Sequence, residues 1–227
     1  MIFDPMYMLF VAPAFLLAMW AQWRVKHTYE KAMQEPAPLS GAAAARLILD
    51  HGGLQHIPIE EVPGTLSDHY DPRTQTVRLS SAVYNQRSLA AVGIAAHEVG
   101  HALQHASHYA PLVIRNFAVP MAMVGPNLAI MMLIGGFIMQ FQFLIFLGLA
   151  VFAGVAAFQI INLPVEFNAS TRAKRLLSEL RVVDDHGAAV VQDVLSAAAW
   201  TYVAATLQAV LTFLYFLMRF GGGGRRE

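Results

Sequence analysis

The sequence contains no cysteine and few charged residues. Without cysteine the chain can form neither a disulfide framework nor a thiolate metal site, so any metal ligands must be nitrogen or oxygen atoms. Charged residues make up 13% of the chain, whereas an ordinary soluble domain has about 25%. The 15 basic and 15 acidic residues balance, without basic clusters interleaved with aromatic residues, which argues against a nucleic-acid-binding protein. The composition, 56% hydrophobic, is typical of a membrane protein.

Four apolar segments without a charged residue are long enough to cross a hydrocarbon core of about 30 Å at about 1.5 Å per residue. They are Met6 to Trp23, Phe117 to Met139, Phe143 to Leu163 and Val194 to Met218. The first lacks a basic leader and a small-residue cleavage pattern, which favours an uncleaved anchor over a signal peptide. We therefore predict an α-helical integral membrane protein with about four transmembrane helices, together with a small α+β region.

The α+β region lies between the first and second apolar segments. Ser40 to Gly52 has the cap, alanine run and glycine stop of a helix, and Ile57 to Val62 is typical of a strand. Residues 66–70 and 75–79, separated by the turn signal Asp-Pro-Arg-Thr, predict a β-hairpin. The edge of this hairpin, taken as residues 65–79, could bind an extended peptide as an added strand. Alternatively, the hairpin is structural and only covers the next helix.

The chemistry is carried by His97-Glu98-Val99-Gly100-His101. Ser88 can cap a helix over Leu89 to Leu103, and residues four apart on a helix share a face with Cβ atoms about 5–6 Å apart. His97 and His101 could thus bind one zinc ion, with Glu98 beside it as a base. Small residues around the motif would let a second element approach closely: Ala95, Ala96, Gly100 and Ala102.

A catalytic zinc site commonly has three protein ligands and one open position. His105 lies about 12 Å along the helix from His97, too far to share an ion, and is expected to lie beside the ligands. Glu166 is the predicted third ligand. The second and third apolar segments are joined by only three residues, so they form a tight hairpin that returns Glu166 to the side of His101.

Two other roles for these groups remain open. Glu166 could instead pair with Arg172 or Arg115 at the headgroup boundary. The metal could be structural in a protein that is not an enzyme, in which case a fourth protein ligand is expected. A metal transporter is disfavoured because the apolar segments contain no ionisable residue.

Three motifs together resemble the YugP type of membrane zinc metallopeptidases, in the gluzincin group with the HtpX-like and CAAX-processing membrane proteases. They are D-H-Y-D-P-R-T-Q-T-V-R-L-S at 68–80, A-A-H-E-V-G-H-A-L-Q-H at 95–105 and L-P-V-E-F-N-A-S at 163–170. The resemblance implies a zincin-like catalytic region with His97, His101 and Glu166 as zinc ligands, Glu98 as the catalytic carboxylate, and one Zn²⁺ per chain. The related proteases have an aspartate four residues after the glutamate, where Ser170 stands here, which leaves the role of Ser170 open.

Peptide hydrolysis also needs a donor for the oxyanion. Five side chains are chemically able to serve and the sequence does not rank them: His69, Tyr70, His108, Tyr109 and Arg172.

The predicted organisation has six parts. They are an N-terminal transmembrane anchor (1–24), the catalytic region (25–115), a transmembrane hairpin (116–163), a helical segment with the third ligand (164–193), a transmembrane helix (194–218) and a flexible tail (219–227). Two polar regions on one side, Arg24 to Arg115 and Arg172 to Arg181, hold 12 of the 15 basic residues. Positive charge predicts that this side is cytoplasmic. The expected partners are a bilayer in a multi-pass arrangement in the cell membrane and a peptide or membrane-protein substrate.

Overall fold

The computed structural model describes residues 4–220. Within them the chain forms a predominantly helical fold with one small sheet, as predicted. In chain order the elements are α1 (Pro5–Gln34), α2 (Gly41–His51), β1 (Ile59–Val62), β2 (His69–Asp71), β3 (Thr76–Ser80), α3 (Ser81–Asn85), α4 (Leu89–Ala106), α5 (Ala110–Ile138), α6 (Gln142–Glu179) and α7 (Asp185–Phe220).

Four helices are long and apolar enough to cross a membrane: α1, α5, α6 and α7. Each extends beyond the apolar segment that predicted it. The predicted boundary at 163/164 lies inside α6, which continues through Pro164 to Glu179. Arg219 and Phe220 belong to α7, and the rest of the predicted tail lies outside the described residues.

The chain divides into two compact units. The first, here the apolar unit, comprises Met1–Trp20, Val113–Pro164 and Thr201–Glu227. Its helices α5 and α6 approach closely at glycines, since a Cβ on Gly125 would lie 2.8 Å from the Val155 side chain. Side chains such as Ala129 and Leu133 form its buried core.

The second unit, here the motif unit, comprises Ala21–Leu112 and Val165–Trp200. Its largest fully buried apolar side chains come from α2, β3, α3, α4, α6 and α7: Ile48, Leu49, Val77, Leu79, Val83, Val92, Val99, Val165, Leu177 and Val191. The predicted caps are present, because the Ser40 and Ser88 hydroxyls accept hydrogen bonds from the Ala43 and Ala91 backbone N–H groups. These caps set the start of α2 and of α4.

The sheet of the motif unit has the order β1-β3-β2. The antiparallel pairing of β2 with β3, with Tyr70 opposite Val77, is the predicted hairpin. The parallel pairing of β1 with β3, with Ile59 opposite Val77, places β3 in the middle and was not predicted. Strand β2 is therefore an edge strand, and it lies against the helix that carries the histidine motif.

Candidate metal centre

Helix α4 presents the two motif histidines on one face. The ring centroids of His97 and His101 are 4.8 Å apart and the rings are nearly perpendicular. Both side chains are mostly buried, with 13% of each exposed. Because His97 and His101 are one helical turn apart on the same face, their two Nε2 atoms converge on one point.

Gly100 lets α6 approach this face. A Cβ on Gly100 would lie only 2.7 Å from the carbonyl oxygen of Ala169, a distance at which backbone atoms would have to move apart. The predicted close approach of a second element to the small residues of the motif is thus present. Its consequence is that Glu166, three residues before Ala169 on α6, comes within reach of both histidines.

The Glu166 carboxylate lies between the two rings. Its Oε2 atom is 3.3 Å from the His97 Nε2 atom and 3.6 Å from the His101 Nε2 atom. This oxygen is fully buried and has no hydrogen-bond partner, although buried carboxylate oxygens are normally hydrogen-bonded or bind a cation. One ligand atom from each residue lies within 4.8 Å of the others. Two imidazole nitrogens and a carboxylate oxygen are a zinc-type donor set, so the residues present fit a zinc ion.

The charge environment also favours a cation. Burial by itself lowers the pKa of His101, but the Glu166 and Glu98 carboxylates outweigh it and the pKa is raised above its ordinary value. Two carboxylates therefore make this pocket attractive to positive charge, either a proton or a metal ion.

Glu98 is held by the edge strand. Its Oε2 atom accepts a hydrogen bond of 3.0 Å from the Tyr70 backbone N–H, and the residue is largely buried. Among residues 4–220 no hydrogen bond to its Oε1 atom is found, so one carboxylate oxygen is fixed and the other stays available for proton transfer. This contact joins residues 28 positions apart, and the periodicity of the sequence does not predict it.

Each histidine has a neutral partner at its other ring nitrogen. The His97 Nδ1 atom lies 3.2 Å from the Ser170 hydroxyl, at the position where related proteases have an aspartate. The His101 Nδ1 atom lies 3.0 Å from the Gln104 Oε1 atom. Gln104 was missed at the sequence level, although a polar residue one turn after His101 on a buried helix face is a signal that could have identified it.

Gln104 also bonds to α6. Its Nε2 atom donates to the Val165 carbonyl oxygen at 2.8 Å and to the Asn168 Oδ1 atom at 3.0 Å. Asn168 in turn accepts from the Arg172 Nε atom at 2.8 Å, and the Arg172 guanidinium lies 6.0 Å from the centre of the Tyr109 ring. Two predicted oxyanion candidates, Arg172 and Tyr109, are thereby connected to the site through Asn168.

The other candidate donors divide into two groups. The Tyr70 hydroxyl lies 2.8 Å from the His105 Nδ1 atom, and burial raises the pKa of Tyr70 to about 12, so Tyr70 remains protonated at neutral pH. His105 is therefore paired with Tyr70 next to Glu98. By contrast, His69 bonds to the Ser67 carbonyl on the surface, and His108 is exposed in the turn after α4.

The alternative ion pairs of Glu166 are not formed. Arg115 bonds to Asn162, and Arg172 bonds to Asn168. Over residues 4–220, the only basic side chains within ion-pair distance of Glu166 are His97 and His101.

The chain is similar to known proteins over most of its length. A family described as "Putative neutral zinc metallopeptidase" matches residues 7–221. The chain is 44% identical over 209 residues to the "Putative membrane protease YugP" of Bacillus subtilis (strain 168), an alignment that covers 91% of this chain and 93% of that protein. No solved structure matches the chain. The range of the family match extends through both units and contains the positions of the centre.

Proposed function

The chain belongs to the neutral zinc metallopeptidase family, and on that premise we propose that it is a membrane-embedded endopeptidase that uses one zinc ion per chain. The observation that carries this proposal is the buried Glu166 oxygen without a hydrogen bond, between the two motif histidines. We assign His97, His101 and Glu166 as the zinc ligands and Glu98 as the general base.

The chemistry divides between the metal and the chain. A zinc ion held there would acidify a bound water and polarise a peptide carbonyl. Glu98 accepts the proton of the attacking water on its Oε1 atom, while the Tyr70 N–H keeps the Oε2 atom in place. The protonated Glu98 then gives this proton to the departing amine, which completes general acid–base catalysis by one carboxyl group.

A catalytic role is favoured over a structural one by the number of ligands. A structural zinc site is closed by four protein ligands, whereas a catalytic site keeps a position for water or substrate. Among the described residues, the histidine and acidic side chains that converge here are only His97, His101 and Glu166. His105, the nearest further histidine on α4, is bonded to Tyr70 instead.

The edge strand β2 supports a substrate bound in extended form. Neighbouring residues of a strand direct their backbone groups to opposite sides. Since the Tyr70 N–H faces Glu98, the Tyr70 carbonyl oxygen is directed to the same edge, away from β3. We propose that a substrate strand adds here and that this carbonyl accepts its backbone N–H, which would align the scissile bond with Glu98.

We propose that α1, α5, α6 and α7 span the membrane and that the motif unit lies in the cytoplasm, since 12 of 15 basic residues fall on its side. Because the chain has no cysteine, a single introduced cysteine provides one defined site for a thiol reagent. An impermeant thiol reagent applied to intact cells should modify Gln142→Cys, at the α5–α6 turn, and leave the exposed His56→Cys unmodified until the cells are opened. Modification of His56→Cys in intact cells would show that the motif unit lies outside the cytoplasm and would contradict the proposed orientation.

The function is tested by Glu98→Gln. Because the amide cannot accept a proton while the three ligands remain, the variant should keep about one zinc per chain and lose proteolysis. Zinc content is measured on the purified protein. Cleavage is measured by the appearance of new N-termini, both in casein and in the membrane proteome of cells that express either form. The proposal fails if the wild type takes up no zinc, or if no cleavage depends on Glu98.

A further inference from the structure

Gln104 is a fully buried glutamine whose side-chain amide makes three hydrogen bonds. Its partners fix which way the amide points. The Val165 carbonyl oxygen can only accept a hydrogen bond, so the NH₂ group of Gln104 must face it. The second N–H of that group is directed to the Asn168 oxygen, which leaves the Gln104 carbonyl oxygen facing the ring of His101.

This orientation decides where the proton of His101 lies. An amide oxygen can only accept, so the His101 Nδ1 atom, 3.0 Å away, must carry the hydrogen. A neutral imidazole has one protonated nitrogen, so the Nε2 atom that faces Glu166 carries the lone pair needed by a metal. A backbone carbonyl of α6 thus controls, through Gln104, the tautomer of a histidine on α4.

For the zinc site proposed above, we infer that Gln104 is the residue that positions His101, by holding its metal-binding tautomer and by tying α4 to the segment of α6 that carries Glu166. Val165 immediately precedes Glu166, so one amide links two of the three ligands. The Gln104 side chain is not one of the proposed ligands and acts through its hydrogen bonds to His101, Val165 and Asn168.

Ser170 provides an internal comparison. Its hydroxyl lies 3.2 Å from the His97 Nδ1 atom, but a hydroxyl can donate or accept and rotates to suit its partner. Ser170 therefore does not select a tautomer for His97. The two histidines are held differently, with His101 preset and His97 adaptable, and losing Gln104 should disturb the centre more than losing Ser170.

The test uses the full chain in detergent micelles, with zinc itself as the probe. Gln104→Met keeps the size of the side chain and removes its hydrogen bonds, and Ser170→Ala is the matched control. Zinc affinity is measured by competition with a chromophoric chelator, and thermal unfolding followed by circular dichroism checks folding. We expect zinc affinity to fall about 10- to 100-fold in Gln104→Met, as for other outer partners of metal-binding histidines, and less in Ser170→Ala.

A second measurement separates positioning from packing, needs no zinc and does not depend on the folding of Gln104→Met. Nitrogen NMR of ¹⁵N-histidine-labelled wild type, without metal and at a pH where the ring is neutral, should show His101 as the Nδ1–H tautomer. The signal is assigned by its disappearance in His101→Gln. Detection of the Nε2–H tautomer, or unchanged zinc affinity in folded Gln104→Met, overturns the inference. Failure of the wild type to take up zinc overturns the proposed function instead, while the tautomer still decides the role of Gln104.

Discussion

The apolar unit and the motif unit expose different kinds of side chain. In the apolar unit, large hydrophobic residues face outward, with Phe117 84% and Met131 70% exposed. In the motif unit, most large hydrophobic residues are inside, with exceptions such as Leu47, and polar groups such as Gln104 and Glu166 are buried with them. The difference is expected if the apolar unit faces hydrocarbon and the motif unit faces water, as proposed above. That arrangement would explain how one chain can be 56% hydrophobic and still have a polar site.

The largest effect is expected from a charge placed on the exposed face of the apolar unit. Met131→Lys is expected to disfavour membrane insertion by about 2.5–3.5 kcal/mol, because Lys is that unfavourable near the centre of a membrane-spanning helix. The measurement is the fraction of protein inserted, determined by a glycosylation-tag insertion assay on α5.

The matched control is Leu47→Lys, which changes a residue of α2 in the motif unit that is also exposed. In water such a surface change is expected to alter the free energy of unfolding by less than about 0.5 kcal/mol. If Met131→Lys were as harmless as Leu47→Lys, the outward face of the apolar unit would be in contact with water and the comparison would be wrong.

A smaller effect is expected from adding one methyl group to a glycine in each unit. Gly100→Ala should lower the free energy of unfolding by about 1–3 kcal/mol and weaken zinc binding, because the new Cβ would meet the Ala169 carbonyl at 2.7 Å. Gly135→Ala, on α5, has only the Leu144 side chain nearby at 3.6 Å and should be neutral or stabilising by up to about 1 kcal/mol.

Chemical denaturation and zinc competition measure both variants. Full zinc affinity in Gly100→Ala would show that the close approach of α4 and α6 is not what brings Glu166 to the histidines.

Much of the fold follows from local signals in the sequence. Ser40 and Ser88 mark helix starts because their hydroxyls can accept from the first turn, and they do so in the structure. Apolar length predicts the four long helices, since it depends only on composition. The predicted boundary at 163/164 falls inside α6, which runs through Pro164, because one lost hydrogen bond is a small fraction of those that hold a 38-residue helix.

The remainder depends on contacts between distant residues. The sequence pattern predicts that Ile57 to Val62 is extended, but it cannot show that β1 pairs in parallel with β3. Periodicity also cannot predict the hydrogen bond between Glu98 and Tyr70, which are 28 residues apart. Nor can it predict the bond between Gln104 and Val165, which are 61 residues apart. For Glu166 the sequence was more informative, because a three-residue turn between two apolar segments constrains where the chain must return.

X-ray absorption on zinc-loaded protein can show directly whether a catalytic zinc ion is bound by His97, His101 and Glu166. We predict a four-coordinate shell of nitrogen and oxygen atoms at about 2.0–2.2 Å with two imidazoles. We also predict that zinc is lost in Glu166→Ala but kept in Glu179→Ala, whose carboxylate on the same helix makes an exposed pair with Arg175 that is worth at most about 1 kcal/mol. A shell without two imidazoles, or full zinc occupancy in Glu166→Ala, would contradict this ligand assignment.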